Sequence, residues 1–154
     1  MIIVVCTDDP KLFTIAKNSL SQDPIVFFSV YQVFRGRIPV LGVAEDLFMI
    51  AHGAFDGDAG QPVIGDEKQA FYLNGDQCFL NIAPIIPAGY RGRVYVDACE
   101  SADETSRMDS FISRLQALFL VNGLQVKVFG VNGKNSGLIP TPADSKWVPA
   151  QLMK

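Results

Sequence analysis

Basic charge, long apolar runs and cysteine are all scarce in this chain of 154 residues. The 13 Lys and Arg residues are outnumbered by 16 Asp and Glu residues, so no basic stripe points to nucleic acid as a partner. The longest apolar run, from Ile25 to Phe34, is interrupted by Ser29 and Gln32. It is too short for a membrane span, which needs about 18 consecutive apolar residues. The composition therefore predicts that neither nucleic acid nor a membrane is a partner.

The few cysteines and the single histidine limit the chemistry further. Three cysteines, an odd number without paired spacing, do not fit a disulfide framework and are typical of a reducing compartment. We therefore expect the protein in the cytoplasm. One histidine and scattered cysteines also offer no tetrahedral zinc set. No basic residue precedes Ile2 to Val5 and no cleavage pattern follows, so this run is interpreted as a strand and not as a signal peptide.

Apolar runs alternate with amphipathic segments along the chain, the pattern of an α/β fold. We expect three layers, with a mostly parallel central sheet and helices on both faces. About half of the residues are apolar, which is enough for one core, so residues 1–154 are predicted to form a single domain with an extended tail at 132–154. The predicted strands are 2–6, 25–34, 47–51, 93–97 and 125–131.

The predicted helices are placed by their end signals. Asp9 and Pro10 begin a helix at 11–21, and Asp76 is a candidate cap for a short helix ending near Pro84. A longer helix at 105–122 carries an apolar stripe and ends before Gly123. Residues 69–73 with the turn Asn74-Gly75 are interpreted as one arm of a hairpin.

Two of the predicted strands end at residues with useful chemistry. The run Leu-Phe-Met-Ile-Ala-His-Gly ends with His52 and Gly53, and the run Val-Tyr-Val-Asp-Ala-Cys-Glu-Ser carries Cys99 about 47 positions later. Parallel strands bring their carboxyl ends to one edge of a sheet, so a thiol and an imidazole are expected side by side. A cysteine nucleophile needs that pairing, because its free thiol has a pKa of about 8.5 and depends on a base.

A strand ending in His-Gly and a later strand ending in Asp-x-Cys resemble the caspase-like clan of cysteine peptidases. This clan includes caspases, metacaspases, paracaspases, toxin self-processing domains and CHAT domains. The sequence Asp97-Ala98-Cys99-Glu100-Ser101 departs from the caspase motif Q-A-C-[RQG]-G and is closer to the D-x-C-x-S of metacaspases and the A-C-E-[ST] of CHAT domains. The similarity covers roughly residues 47–131, and the first strand also fits.

The resemblance implies a three-layer caspase-like fold and a cysteine endopeptidase acting on a protein or peptide substrate. It assigns Cys99 as nucleophile and His52 as general acid and base, without a third residue to orient His52. It also implies an oxyanion hole made by the amides of Gly53 and Cys99. In metacaspases and paracaspases a carboxylate two residues before the cysteine lines the substrate pocket, so Asp97, with Asp8 or Asp9, predicts cleavage after Arg or Lys.

Other interpretations of the same residues stay open. Cys99 can be a buried structural cysteine, Asp8 and Asp9 can serve only as helix caps, and the domain can be a caspase-like binding module without turnover. The opening Val-Val-Cys-Thr-Asp-Asp-Pro-Lys is also similar to a response-regulator receiver, although His52 stands where its phosphoacceptor aspartate is needed.

No cofactor is expected for the proposed chemistry. The loop at 56–60 with Glu67 loosely imitates a calcium loop, but Gln61 replaces the glycine at its sixth position, so calcium is only a weak candidate.

Overall fold

A six-stranded sheet and a small three-stranded sheet organise the fold in a computed structural model, which describes residues 1–33, 35–57, 60–68, 71–134 and 137–151. A 3₁₀ turn at Ala83–Ile85 follows the helix at Gly75–Ile82. In chain order the strands and helices are β1 (Ile2–Val4), α1 (Pro10–Gln22), α2 (Pro24–Phe27), β2 (Val30–Gln32), β3 (Leu47–Ile50), β4 (His52–Ala54), β5 (Val63–Gly65), β6 (Tyr72–Asn74), α3 (Gly75–Ile82), β7 (Val94–Asp97), α4 (Phe111–Val121), β8 (Val128–Gly130) and β9 (Val148–Pro149).

The large sheet is mostly parallel. Its strand order is β2-β1-β3-β7-β8-β9, and only the pairing of β9 with β8 is antiparallel among the described strands. The small sheet has the order β4-β5-β6 and is antiparallel throughout. Both central strands, β3 and β7, are buried along their whole length, which explains their continuous apolar sequences. The predicted strands at 47–51 and 93–97 are therefore confirmed.

Helices cover both faces of the large sheet. On one face Ile3 and Met49 share a buried cluster with Cys78 of α3 and Leu115 of α4. On the other face, Phe48 packs against helices α1 and α2 through a second cluster that contains Leu12, Ala16 and Phe27. Neighbouring residues of a strand point to opposite faces of a sheet, so Phe48 and Met49 belong to different clusters. The prediction of an α/β fold with a mostly parallel sheet and three layers is confirmed.

The predicted strand at 25–34 was wrong over its first half. Asp23 begins a short helix instead, because its side chain accepts a hydrogen bond from the Val26 amide and Pro24 fits the first helical position. Phe28, with φ of 68°, ends that helix, and the strand β2 starts only at Val30. The last residue of the predicted strand, Phe34, lies outside the described residues.

The pair Asn74-Gly75 begins a helix and is not a hairpin turn. Asn74 accepts a hydrogen bond from the Gln77 amide and Gln77 accepts one from the Asn74 amide, which together form a capping box. Asn74 is therefore the cap of α3, in place of the predicted Asp76. The strand β6 pairs antiparallel with the preceding strand β5. The start of the predicted arm, residues 69–70, lies outside the described residues.

The helix predicted at 105–122 starts six residues later. The Thr105 hydroxyl accepts hydrogen bonds from the amides of Arg107 and Met108, which forms a separate turn. Ser110 then caps α4 by accepting a hydrogen bond from the Ser113 amide. The expected end is confirmed, because Gly123 follows the helix with φ of 79°.

The segment from 132 onward, expected as an extended tail, returns to the sheet in its described part. Its β9 pairs with β8, and Trp147 and Ile139 are buried in the cluster that faces α1. The Ile139 amide also donates a hydrogen bond to the Ser19 hydroxyl of α1.

Within the described residues, no helix is long and apolar enough to cross a membrane.

Candidate active site

His52 and Cys99 lie on neighbouring chain segments at the same edge of the large sheet. The parallel strands β3 and β7 are paired with Ile50 opposite Asp97, and the Ala51 amide continues this ladder by donating to the Asp97 carbonyl at 3.2 Å. His52 and Cys99 each stand two residues beyond the pair formed by Ile50 and Asp97. The structure thus places both residues just past the paired ends of β3 and β7, at the edge expected from the sequence.

Gly53 shows how closely these two segments approach each other. A Cβ built on Gly53 would lie 2.2 Å from the Cys99 carbonyl oxygen and 3.1 Å from the Cys99 amide nitrogen. Any side chain at position 53 would therefore collide with the backbone of Cys99. The missing side chain of Gly53 therefore lets its backbone lie directly against that of Cys99.

A tight, strained turn presents Cys99. Glu100 has φ of 62°, in the left-handed region that residues other than glycine rarely adopt. The turn is fixed by two hydrogen bonds, from the Glu100 amide to the Gly133 carbonyl at 2.7 Å and from the Ser101 amide to the Ala98 carbonyl at 3.2 Å. Strain of this kind clusters at functional sites, where the surrounding structure has to hold it.

Of the three cysteines, Cys99 is the accessible one. Cys6 and Cys78 are buried, whereas Cys99 is only partly buried. Burial raises the pKa of the Cys6 thiol to about 11 and that of Cys78 to about 12, so both are protonated at neutral pH. The thiolate is the nucleophilic form, which leaves Cys99 as the candidate nucleophile.

Asp9 supplies the orienting residue for His52 that the sequence did not reveal. The Oδ2 atom of Asp9 lies 2.8 Å from Nε2 of His52, and both side chains are partly buried. A carboxylate in this position favours the tautomer with the proton on Nε2. The lone pair of Nδ1 is then available to take a proton from a thiol. A carboxylate after β1, at the edge where His52 follows β3, was the available signal.

The same carboxylate also caps helix α1. Its Oδ1 atom accepts a hydrogen bond from the Lys11 amide at 3.0 Å, so the predicted capping role is confirmed. Partial burial raises the pKa of the Asp9 carboxyl, but the hydrogen bonds from His52 and the Lys11 amide outweigh that effect and hold the pKa below its usual value. Asp9 is therefore ionised at neutral pH, as the orienting role requires.

The two other acids predicted for a substrate pocket are Asp8 and Asp97. One is hydrogen-bonded to backbone amides, and the other is almost wholly buried. Asp8 accepts hydrogen bonds from the amides of Glu67 and Lys68 at 2.9 and 2.7 Å. Asp97 ends β7 and is 5% exposed. The structure thus brings Asp8 and Asp9 to the edge that carries His52, while the Asp97 side chain is almost wholly buried.

A further acid, Asp66, was missed by sequence reasoning. It is 3% exposed and accepts hydrogen bonds from both the amide and the hydroxyl of Thr7. Together with Asp8 it joins the loop after β1 to the turn after β5. The local sequence Asp66-Glu67-Lys68 resembles any polar surface turn, so only the tertiary contact to Thr7 distinguishes Asp66.

Two cavities flank the strand ends. One of about 260 Å³ is lined by His52, Gly53 and residues of the small sheet and its turn. The other, of about 750 Å³, is lined by Phe55, by residues after the Cys99 turn such as Ala102 and Asp103, and by β9.

Side chains with metal-ligating atoms form two groups among the described residues. Cys6, Asp8 and Asp66 make one group, and Asp9, His52 and Glu67 make the other. The calcium-like loop at 56–60 would need Glu67 as a ligand. Glu67 lies with Asp9 and His52 instead, so it does not support calcium binding by that loop. Two positions of that candidate loop, 58 and 59, fall outside the described residues.

The orienting role of Asp9 can be tested with Asp9→Asn. Asparagine still caps a helix but carries no charge, so stability should change little while turnover falls at least about tenfold. Initial rates on a peptide substrate measure the turnover, and a thermal melt of the same sample measures the stability.

The matched control for that variant is Asp23→Asn, at the cap of α2. It should leave turnover unchanged, since Asp23 caps α2 and belongs to no part of the candidate site. A folded Asp9→Asn variant with the wild-type turnover would contradict the orienting role.

Comparison with protein-family models, with curated proteins and with solved structures finds no match for this chain.

Proposed function

We propose that this chain is a cysteine endopeptidase of the caspase-like type, with Cys99 as nucleophile, His52 as general acid and base, and Asp9 as the residue that orients His52. The observation that carries the proposal is the close approach of Gly53 to the backbone of Cys99, at the point where β3 and β7 both end. A partly buried cysteine, one imidazole and a carboxylate bonded to that imidazole make a complete set for acyl transfer.

The reaction follows from these positions. Nδ1 of His52 takes the proton of the Cys99 thiol, and the thiolate attacks the carbonyl carbon of a peptide bond. The resulting imidazolium then protonates the leaving amine, which releases the first product and leaves a thioester on Cys99. Water, deprotonated by the same imidazole, hydrolyses the thioester and restores the thiol.

The amides of Gly53 and Cys99 are the proposed donors to the oxyanion that forms during attack. Each such donor contributes roughly 3 kcal/mol of transition-state stabilisation in enzymes of this kind. Gly53 is well suited to the task, because the missing side chain lets its backbone lie against Cys99. The strained turn at Glu100 fixes the other amide.

Cleavage after Arg or Lys is the proposed specificity. It rests on the acidic side chains at this edge of the sheet, Asp8 and Asp9, and on Asp97 at the end of β7. Carboxylates favour a cationic side chain through charge-assisted hydrogen bonds. The chain as a whole carries a net charge of −3, which also favours cationic segments of a substrate.

A peptidyl reagent that ends in Arg and alkylates thiols tests the proposal. It should label Cys99 in the wild-type protein, detected by mass spectrometry of the digested chain, and His52→Ala should slow labelling strongly. A matching reagent that ends in Asp should react more slowly. Equal labelling of Cys6 or Cys78, or labelling unaffected by His52→Ala, would indicate a binding module without turnover.

A degenerate receiver domain is the second candidate. The parallel order β2-β1-β3-β7-β8 is that of doubly wound sheets of the receiver type, and Asp8 and Asp9 follow β1. However, Asp9 is hydrogen-bonded to His52, and a histidine follows β3 where the phosphoacceptor aspartate is needed. A receiver would take up label from a small phosphodonor with magnesium, whereas the proposed peptidase would not.

A further inference from the structure

We propose that Asp9, His52 and Glu67 form a binding site for a divalent ion of the zinc type, and that the ion switches off the peptidase base. Binding stands on the geometry alone, whereas inhibition rests on the proposed function.

The three side chains already lie close enough to share an ion. Their ligand atoms are all within 4.8 Å of one another, and Nε2 of His52 is 2.8 Å from Oδ2 of Asp9. The set offers one imidazole nitrogen and two carboxylate oxygens. Imidazole suits zinc and its first-row neighbours, whereas calcium and magnesium prefer oxygen ligands alone. The donor set therefore favours zinc over calcium.

Glu67 is held in place by its backbone, although its side chain is exposed. Its amide and that of Lys68 donate to the carboxylate of Asp8, and the preceding Asp66 is locked to Thr7 by two hydrogen bonds. These four bonds fix the turn after β5 to the loop after β1, which carries Asp9. The backbone that carries Glu67 is thus fixed relative to the backbone that carries Asp9.

The site is also accessible and has room for water. The side chains of His52 and Asp9 are 31% and 12% exposed. His52 and Glu67 both line the cavity of about 260 Å³ beside the small sheet. Water molecules in this cavity can complete the coordination of an ion that has three protein ligands.

Inhibition follows from the proton on the imidazole. A zinc ion bound through Nε2 takes the place of the Nε2 proton, and the neutral ring then carries its proton on Nδ1. The number of protons on the ring is unchanged, but Nδ1 no longer has a lone pair for the Cys99 thiol. The peptidase would therefore lose its base without any change in Cys99.

Binding is measured by titrating zinc chloride into chelator-treated protein in a calorimeter. We expect one zinc per chain, no comparable signal with calcium, and affinities at least about tenfold weaker for His52→Ala and Glu67→Gln. Two control variants should bind zinc as the wild type does. They are Asp56→Asn, which changes an exposed carboxylate in the loop at 56–60, and Cys99→Ala. Unchanged affinity in Glu67→Gln, or weakened affinity in Cys99→Ala, would overturn the site.

Inhibition is measured separately as the zinc concentration that halves each variant's own zinc-free turnover. Glu67→Gln should need at least about ten times more zinc than the wild type, and a chelator should restore turnover in both. Turnover that is insensitive to zinc bound at this site would overturn the switch alone. Zinc binding without turnover in chelator would refute the peptidase and leave the metal site standing.

Discussion

Replacing Cys99 with alanine should lower peptide turnover by about 10⁴-fold or more, because the acyl-enzyme cannot form without the thiol. The fold should be retained, since Cys99 is only partly buried and its truncation removes little packed volume. Initial rates on a fluorogenic peptide that ends in Arg, with a thermal melt of the same sample, measure both effects.

The control for this variant is Cys78→Ala. Cys78 is fully buried, and its sulfur lies 3.8 Å from that of Met49, so the variant should lose some stability but keep its turnover. If Cys99→Ala retained turnover, or if Cys78→Ala abolished it while still folded, the nucleophile would be wrongly assigned.

Gly53→Ala should reduce turnover by at least about a hundredfold, the scale of losing one oxyanion donor. The new methyl group would lie 2.2 Å from the Cys99 carbonyl oxygen, a distance that the backbone must relieve by moving. Either segment can move, and in both cases the Gly53 and Cys99 amides lose their common orientation. Turnover is measured on the fluorogenic peptide, and far-UV circular dichroism confirms that the variant is folded.

Gly42→Ala is the matched control for that substitution. A Cβ at Gly42 would meet only the Glu45 side chain, at the ordinary contact distance of 3.5 Å. Turnover should stay within about twofold of the wild type, since this loop is remote from the strand ends. A folded Gly53→Ala variant with turnover similar to that of Gly42→Ala would remove the main support for the proposed site.

The sequence was a good guide where one local signal decided the outcome. The strands ending near His52 and Cys99 were predicted because a buried parallel strand needs apolar residues on both faces. The start of α1 was predicted because Asp9 and Pro10 form a strong cap signal. Since both strand ends were found, the placement of His52 and Cys99 at one edge of the sheet followed from the rule for parallel sheets.

Competing local signals explain the errors in the fold. The run Ile25 to Phe28 has strand-forming side chains, but the cap Asp23 and Pro24 outweighed them and made a helix turn. Asn74-Gly75 fits both a hairpin and a helix start, and the Gln77 side chain decided for the helix. Residue propensities alone, without the capping side chains, do not predict either helix start.

Tertiary contacts explain what was missed in the candidate site. The bond between Asp9 and His52 joins residues 43 positions apart, and those between Thr7 and Asp66 join residues 59 positions apart. Such contacts depend on how the loop after β1 packs against the small sheet. No spacing or composition in the chain encodes that packing directly.

The double engagement of Asp9 couples the orientation of His52 to the integrity of a helix end. One oxygen holds the first turn of α1 and the other holds the imidazole, so fraying of that turn would also release the ring. With the pKa of Asp9 held low, the stabilisation it gives is present at neutral pH and is lost only as acid protonates the carboxylate. A molecule that binds at the amino end of α1 would consequently also act on the orientation of His52.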